Sequence, residues 1–378
     1  MSGMEFIENE RSPARIRVIG VGGCGGNIIH YLQARRVAGI EYAAVNTDSQ
    51  ALSRIENAEC VHLGGGGMRG LGAGANPDLA ARAAEEESSR LLELVRDCDM
   101  VFVACGMGKG TGTGASPLIA KLARGEGVLT VAVATLPFRH ERRDRTAEKG
   151  MLALSAEVDS LLVVPNAKLK EVLGDDVLQK DALAAANGVL YNAVCGISEI
   201  ITKPGEMNLD FNDVRSVMSA KGRAVMGSAC KSGPDRAAEA AHETLACPLM
   251  EDVDLSAASH FLVNITASSA TMKLNEADAV HSVIDEKAPH CDSERFVGQV
   301  YDDSMGDEMR VTIIATGIAG EREGERAAEG GGNLKLIEGA VQDPCFVSGR
   351  DRKRREELLQ KHNGDERRVP TILRRQKN

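Results

Sequence analysis

The chain has 378 residues, more than one hydrophobic core usually serves, which predicts two domains and a tail. Hydrophobic residues make up 43% of it, enough for a packed core, and its net charge of −10 disfavours nucleic acid as a main partner. Its nine cysteines include no C-x-x-C pair, and no set of residues has the spacing of metal ligands. This pattern favours a reduced, cytoplasmic protein without a protein-held metal.

The N-terminal extension, residues 1–14, is polar and has no apolar secretion segment, and no run of 18 apolar residues occurs in the chain. We therefore expect no direct membrane insertion. From residue 15 to about 165, strand-like apolar segments alternate with helical ones, which is typical of a parallel sheet covered by helices on both faces. The predicted strands are 15–21, 41–45, 100–105, 129–135 and 160–164.

A glycine-rich turn, Gly20–Asn27 (GVGGCGGN), follows the first predicted strand and leads into a helical pattern over 28–35. It satisfies G-x-G-x-x-G, the pattern of dinucleotide-binding folds. Alone, this motif also allows a tight turn without a ligand or a nicotinamide-dependent oxidoreductase.

A second glycine-rich loop, 106–114 (GMGKGTGTG), follows the third predicted strand in the same α/β region and precedes a predicted helix over 115–124. Glycine at alternate positions lets the backbone N–H groups approach a ligand, and the threonine hydroxyls add donors. The positive end of the helix would face the same anion. Lys109 is followed by Gly110 rather than Ser or Thr, so this is no Walker A motif. Two such loops predict a ligand with several phosphates.

The later segments predict a second, smaller domain. A long helix is expected over 177–202, because Lys203-Pro204-Gly205 would end it. Residues 213–226 are predicted to form another helix, and 260–266 and 309–316 to form strands.

After residue 318 the sequence becomes polar and charged, which predicts a disordered linker over 319–364. Apolar residues return in 369–376 (VPTILRRQ), within the C-terminal peptide 365–378. Residues 350–378 carry eleven Lys and Arg against five Asp and Glu, so the acidic charge lies in the body of the chain. A basic end of this kind favours contact with acidic surfaces.

Five motifs, taken together and in order, resemble the FtsZ family of tubulin-like GTPases of bacterial cell division. The resemblance spans about residues 15–318 and returns at the C-terminus. The motifs are GVGGCGGN (20–27), NTDSQAL (46–52), GLGAGANP (70–77), GMGKGTGTGASP (106–117) and NLDFNDV (208–214).

The resemblance implies a tubulin-like α/β fold. A parallel-sheet GTP-binding domain (15–176) would be joined by a long central helix (177–203) to a smaller α+β domain (204–318). The implied function is a cell-division protein that polymerises head to tail with GTP, forms the septal ring scaffold, and hydrolyses GTP to GDP at the subunit interface with Mg²⁺. It would act in the cytoplasm at the division site, where residues 365–378 would bind membrane tethers and division regulators.

The resemblance also assigns residues to the nucleotide. Glu141 would hold the ribose with Arg145 beside it; the two are four apart on one predicted helix face, where a surface ion pair is the alternative. Asn166 and Asn187 would read guanine, although each could be a turn or capping residue. The remaining expected nucleotide contacts are Gly22, Gly23, Asn27, Gly108, Gly110, Thr111, Gly112 and Thr113.

The implied catalytic residues are Asn208, Asp210 and Asp213, in a loop over 206–214. Two carboxylates beside a triphosphate in one subunit would be electrostatically costly unless Mg²⁺ intervened. By resemblance, the loop of one subunit enters the nucleotide pocket of the next, where the two aspartates orient water for attack on the γ-phosphate. Capping of a helix is the structural alternative for this pair.

Three residues depart from the family pattern. Lys109 stands where the phosphate loop usually has glycine, Leu183 replaces an aromatic residue near the base, and Ala167 replaces a common Asp. These differences bear on nucleotide affinity and turnover. They leave open a filament or scaffold protein that binds nucleotide and hydrolyses it weakly or not at all.

Overall fold

Ten strands form one continuous sheet in the computed structural model, which describes residues 14–318 apart from 66–67, 169–177, 204–208, 221, 252 and 289–293. The strand order is β3-β2-β1-β4-β5-β6-β7-β10-β8-β9. The strands are β1 (Ile16–Val21), β2 (Ile40–Asn46), β3 (Glu59–His62), β4 (Met100–Gly106), β5 (Leu129–Leu136), β6 (Ser160–Pro165), β7 (Arg223–Ser232), β8 (His260–Ala267), β9 (Glu294–Tyr301) and β10 (Glu308–Ile318).

The helices connect the strands along the chain and pack against the sheet. They are α1 (Gly22–Ala34), α2 (Ser49–Leu52), α3 (Pro77–Glu86), α4 (Ser88–Val95), α5 (Thr111–Gly125), α6 (Asp144–Ser155), α7 (Gln179–Thr202), α8 (Phe211–Met218), α9 (Arg236–Leu245), α10 (Pro248–Glu251) and α11 (Leu274–Lys287). Short 3-10 turns occur at Arg139–Glu141, Leu255–Ala257 and Asp303–Met305.

The first six strands are all parallel, from β3 at the edge to β6. Strands β1 and β4 are almost wholly buried because helices pack against both faces of the sheet at this point. Helix α1 packs on one face and α3 to α6 pack on the other. The predicted parallel sheet with helices on both faces is confirmed.

The last four strands form a mixed sheet. Strand β10 is antiparallel to both β7 and β8, whereas β9 is parallel to β8. A short parallel pairing, Leu161 with Arg223 and Leu162 with Ala224, joins the two halves. The α/β class with a smaller mixed second part is therefore as the sequence predicts.

The central helix α7 connects the two halves. Its 24 residues span about 36 Å, and Leu190, Val194 and Ile197 are fully buried. They share one apolar cluster with Phe102 of the parallel half and Ile314 of the mixed half. The helix is long and apolar enough to cross a membrane, but 56% of its most apolar window is buried inside the protein, as in a core helix.

The helix predicted over residues 213–226 is wrong in its second half. Helix α8 ends at Met218, and β7 begins at Arg223 after Gly222 with φ +130°. The apolar residues of β7 pair with β10, about 90 positions later in the chain, and local periodicity cannot reveal such a partner. The predicted extension 1–14 (except residue 14), linker and C-terminal peptide lie outside the described residues.

Candidate nucleotide-binding site

The two glycine loops lie side by side at the carboxyl ends of the neighbouring parallel strands β1 and β4. Both following helices begin inside the loops and earlier than predicted, α1 at Gly22 and α5 at Thr111. No side chain caps either N-terminus. The backbone N–H groups of two first helical turns are therefore open to an anion at the same edge of the sheet.

Glycine is also required by the packing of the first loop. A Cβ on Gly20 would lie 2.4 Å from the carbonyl oxygen of Gly25. Gly22 has φ +73°, and a Cβ there would lie 3.0 Å from the backbone nitrogen of Gly112 in the other loop. The glycines thus bring the two loops into contact, which accounts for their spacing independently of any ligand.

A cavity of about 570 Å³ lies between the loops, a size typical of small-molecule sites. Most of the predicted nucleotide-binding residues line it, together with segments near residues 46–55 and 72–75. The predicted residues that line the cavity are Gly22, Gly23, Asn27, Gly110, Thr111, Gly112, Glu141, Asn166 and Asn187.

Gly108, Thr113 and Arg145 do not line the cavity. The backbone N–H of Gly108 donates to the Thr113 hydroxyl at 2.9 Å, and Thr113 is buried. These two residues bond to each other and hold the shape of the second loop.

The prediction that Glu141 and Arg145 share one helix face is wrong. Glu141 ends a 3-10 turn, Arg142 adopts a left-handed conformation with φ +52°, and α6 begins only at Asp144. The Glu141 carboxylate accepts from the Phe138 backbone N–H at 3.2 Å and lines the cavity.

Asn166 directly follows β6 and is 7% exposed, yet its side-chain oxygen has no hydrogen-bond partner among the described residues. An unsatisfied buried acceptor costs about 1–3 kcal/mol, and because Asn166 lines the cavity, a ligand there can supply the missing donor. Asn187 and Leu183 line the same part of the cavity from α7.

Several lining residues had no predicted role. The hydroxyls of Thr47 and Thr111 are 2.7 Å apart, which ties the β2 end to the second loop. Asp48 caps α2, and His30 and Arg54 also line the cavity. Thr47 and Asp48 belong to the motif NTDSQAL, which contributed to the resemblance without an assigned contact.

Two thiols lie at the loops. Burial raises the pKa of Cys24, which lines the cavity, and raises the pKa of Cys105 to about 12. Both therefore remain protonated at neutral pH, and they act as small residues in tight packing rather than as reactive thiols.

The predicted catalytic aspartates form a capping box at the start of α8. Asp210 Oδ1 accepts from the Asp213 backbone N–H at 2.9 Å, and Asp213 Oδ2 accepts from the Asp210 N–H at 3.1 Å. Both aspartates therefore cap the helix, a role compatible with the predicted catalytic one. Among the described residues, the second oxygen of each carboxylate has no partner and can accept from water. Asn208 lies outside the described residues.

This pair lies far from the cavity of its own subunit. The Arg215 side chain of α8 donates to the carbonyl of Gly127, just before β5. Leu136, at the other end of β5, lines the cavity. An eight-residue strand spans about 25 Å, so the capping box and the cavity lie at opposite edges of the sheet.

Comparisons with known proteins show which family the chain resembles. Residues 15–174 match the GTPase domain of the Tubulin/FtsZ family, and residues 222–319 match the C-terminal domain of the FtsZ family. The cell division protein FtsZ of Pseudomonas aeruginosa is 42% identical over 98% of this chain and 92% of its own length. That of Buchnera aphidicola (subsp. Baizongia pistaciae) is 48% identical over 81% of this chain and 79% of its own length.

Solved structures show the same fold. An FtsZ dimer of M. jannaschii superposes with a TM-score of 0.76 and 37% identity, over 82% of this chain and 89% of that one. The chain therefore belongs to the FtsZ family of tubulin-like, cell-division GTPases.

Proposed function

We propose that the chain hydrolyses GTP at a site completed by two subunits of a head-to-tail filament. The observation that supports this most directly is the separation of the nucleotide cavity from Asp210 and Asp213 by the length of β5. One subunit supplies the cavity, and the next supplies the capping box of α8.

In the cavity, the uncapped N-termini of α1 and α5 would bind the phosphates. Their backbone N–H groups are donors already held in position, so binding the phosphates costs little free energy of reorganisation. Glu141 would accept from the ribose hydroxyls, with Arg145 nearby. The unpartnered oxygen of Asn166 and the amide of Asn187 would bind the polar edge of guanine.

Mg²⁺ would be held mainly by the nucleotide phosphates and water. No group of three metal-ligating side chains occurs in the described part of the chain, and Asp48 and Glu141 each accept a backbone hydrogen bond. The ion would neutralise phosphate charge.

The free carboxylate oxygens of Asp210 and Asp213 would accept hydrogen bonds from one water and aim its lone pair at the γ-phosphate of the neighbouring subunit. Their capped geometry fixes both side chains before the subunits meet. We include Asn208 in this loop as a further polar contact to the water.

Residues 365–378 would attach the filament to membrane tethers and division regulators. The protein itself would stay in the cytoplasm at the division site, without nucleic acid as a partner and without inserting into the membrane.

Asp210→Asn tests the catalytic role. Asparagine keeps the N-cap acceptor but removes the charge, so α8 should stay folded, GTP binding should stay within about twofold, and hydrolysis should fall by about 10²–10⁴. Asp210→Ala removes both the charge and the cap. Comparing it with Asp210→Asn therefore separates the effect of capping from the effect on catalysis. Phosphate release and equilibrium GTP binding are the measurements.

The control is Asp254→Asn, at an exposed cap of a 3-10 turn elsewhere. It should change neither property. Loss of GTP binding in Asp210→Asn, with unchanged turnover per bound nucleotide, would assign Asp210 a structural role instead.

A further inference from the structure

Lys109 is the one charged residue in the loop 106–114, and the site described above gives it no role. Its side chain is exposed and lines the cavity. No hydrogen bond or ion pair connects its ammonium group to another described residue. An ammonium group has three donors, and here all three are available to a ligand.

The charge of Lys109 reaches the first glycine loop. Burial raises the pKa of Cys24, and the Lys109 charge acts on the same thiol in the opposite direction. Cys24 belongs to the first turn of α1. Lys109 and Cys24 line the same cavity, and Lys109 directly precedes Gly110, the N-cap of α5.

Two carboxylates line the cavity, and each accepts backbone hydrogen bonds through one of its oxygens rather than pairing with Lys109. Asp48 accepts from the backbone N–H groups of Gln50 and Ala51, and Glu141 accepts from that of Phe138. The buried side-chain oxygen of Asn166, which has no partner among the described residues, is independently free to accept a hydrogen bond from a ligand in this cavity. The ammonium group of Lys109, in the same cavity as two helix N-termini, would then bind an anionic part of that ligand.

We propose that Lys109 binds the phosphates of the nucleotide, as the one side-chain cation in a loop that otherwise offers backbone N–H groups and threonine hydroxyls. This inference rests on the proposed nucleotide function. A triphosphate carries more charge than a diphosphate, so Lys109 favours GTP over GDP. A divalent ion neutralises the same charge, so Lys109 also lowers the dependence of GTP binding on Mg²⁺.

Lys109→Gln tests this role because glutamine has nearly the same length and no charge. Equilibrium binding of GTP and GDP is measured by fluorescence below the assembly concentration, with Mg²⁺ and with excess EDTA. In EDTA, the variant should bind GTP about tenfold more weakly than the parent chain, with a smaller loss for GDP. Adding Mg²⁺ should shrink the difference. Lys109→Arg should retain most of the affinity.

The matched control is Lys121→Gln, which removes an exposed lysine from the outside of α5. It should bind both nucleotides as the parent does. Equal GTP affinity of Lys109→Gln and Lys121→Gln in EDTA would overturn the proposed role of Lys109 and leave the proposed nucleotide function standing. Failure of the parent chain to bind GTP in either condition would instead overturn the proposed nucleotide function.

Discussion

Asn166 gives the clearest sign of a ligand at the scale of single residues, because its side-chain oxygen is buried at the cavity and has no partner in the part of the chain that the structure describes. Stability alone would favour an apolar residue at such a position. A hydrogen-bond donor on the bound nucleotide would satisfy the Asn166 oxygen and would explain why a polar residue lies at this position.

Asn166→Ala should therefore separate binding from stability. We expect the nucleotide-free variant to be as stable as the parent, or slightly more stable, since an unsatisfied acceptor is removed. Guanine-nucleotide affinity should fall by about tenfold. Thermal unfolding without nucleotide and equilibrium GTP binding measure the two effects. A large loss of stability together with unchanged affinity would contradict a ligand role.

A second residue-scale feature is the buried ion pair of Arg236 and Glu276, which are 2% and 7% exposed. Burial would raise the pKa of Glu276, but hydrogen bonds from Arg236 and from the Lys273 backbone outweigh it, and the pKa lies below its usual value. A lowered pKa means stabilisation that is present above the unfolded-state pKa and is lost as pH falls through the folded-state pKa.

Glu276→Ala should thus destabilise the chain by about 3 kcal/mol at neutral pH, because the buried Arg236 would lose its nearest carboxylate and keep only Asp307 at 3.7 Å and uncharged acceptors. The difference from the parent should shrink as the pH falls through the lowered pKa of Glu276 in the folded chain, where the parent carboxylate becomes protonated. Urea unfolding at several pH values measures this. The exposed pair of Lys231 and Glu243 provides the control, since Glu243→Ala should change little. A pH-independent difference for Glu276→Ala would count against the ion pair.

At the scale of elements, the sequence predicts the parallel half best, because each of its strands except β3 is an apolar run followed by a turn or helix. The four-residue strand β3 and the partly exposed strand β9 have no comparable signal, and local periodicity does not distinguish β7 from a helix because its partner β10 is distant in sequence. In the site, glycine spacing identifies both loops. It does not reveal that Thr113 bonds to Gly108, or that a left-handed Arg142 separates Glu141 from α6.

The C-terminal peptide has a role of its own in the proposed function. Val369, Ile372 and Leu373 have the spacing of one apolar face, and Arg374 and Arg375 suit an acidic partner. Deleting residues 365–378 should leave GTP-dependent filaments intact and abolish attachment to the membrane tether. Pelleting of filaments and binding to tether-coated vesicles measure these effects. Loss of filaments would show that the peptide belongs to the polymer itself.

At the scale of the whole molecule, the sheet sets the direction of assembly. The cavity lies at the carboxyl ends of the parallel strands and the capping box of α8 at their amino ends, so contact between the two surfaces is heterologous. A heterologous contact that does not close on itself generates a filament. Under the proposed function, hydrolysis therefore depends on a neighbour rather than on a rearrangement within one subunit.

Phosphate release per subunit, measured against protein concentration, tests the shared site most directly. Sedimentation at each concentration locates the assembly threshold, and nucleotide binding is measured in parallel. Below the threshold, subunits should still bind GTP while turnover per subunit falls toward zero; above it, turnover should rise to a plateau. Turnover that stays constant on dilution far below the threshold would contradict a site completed by a second subunit.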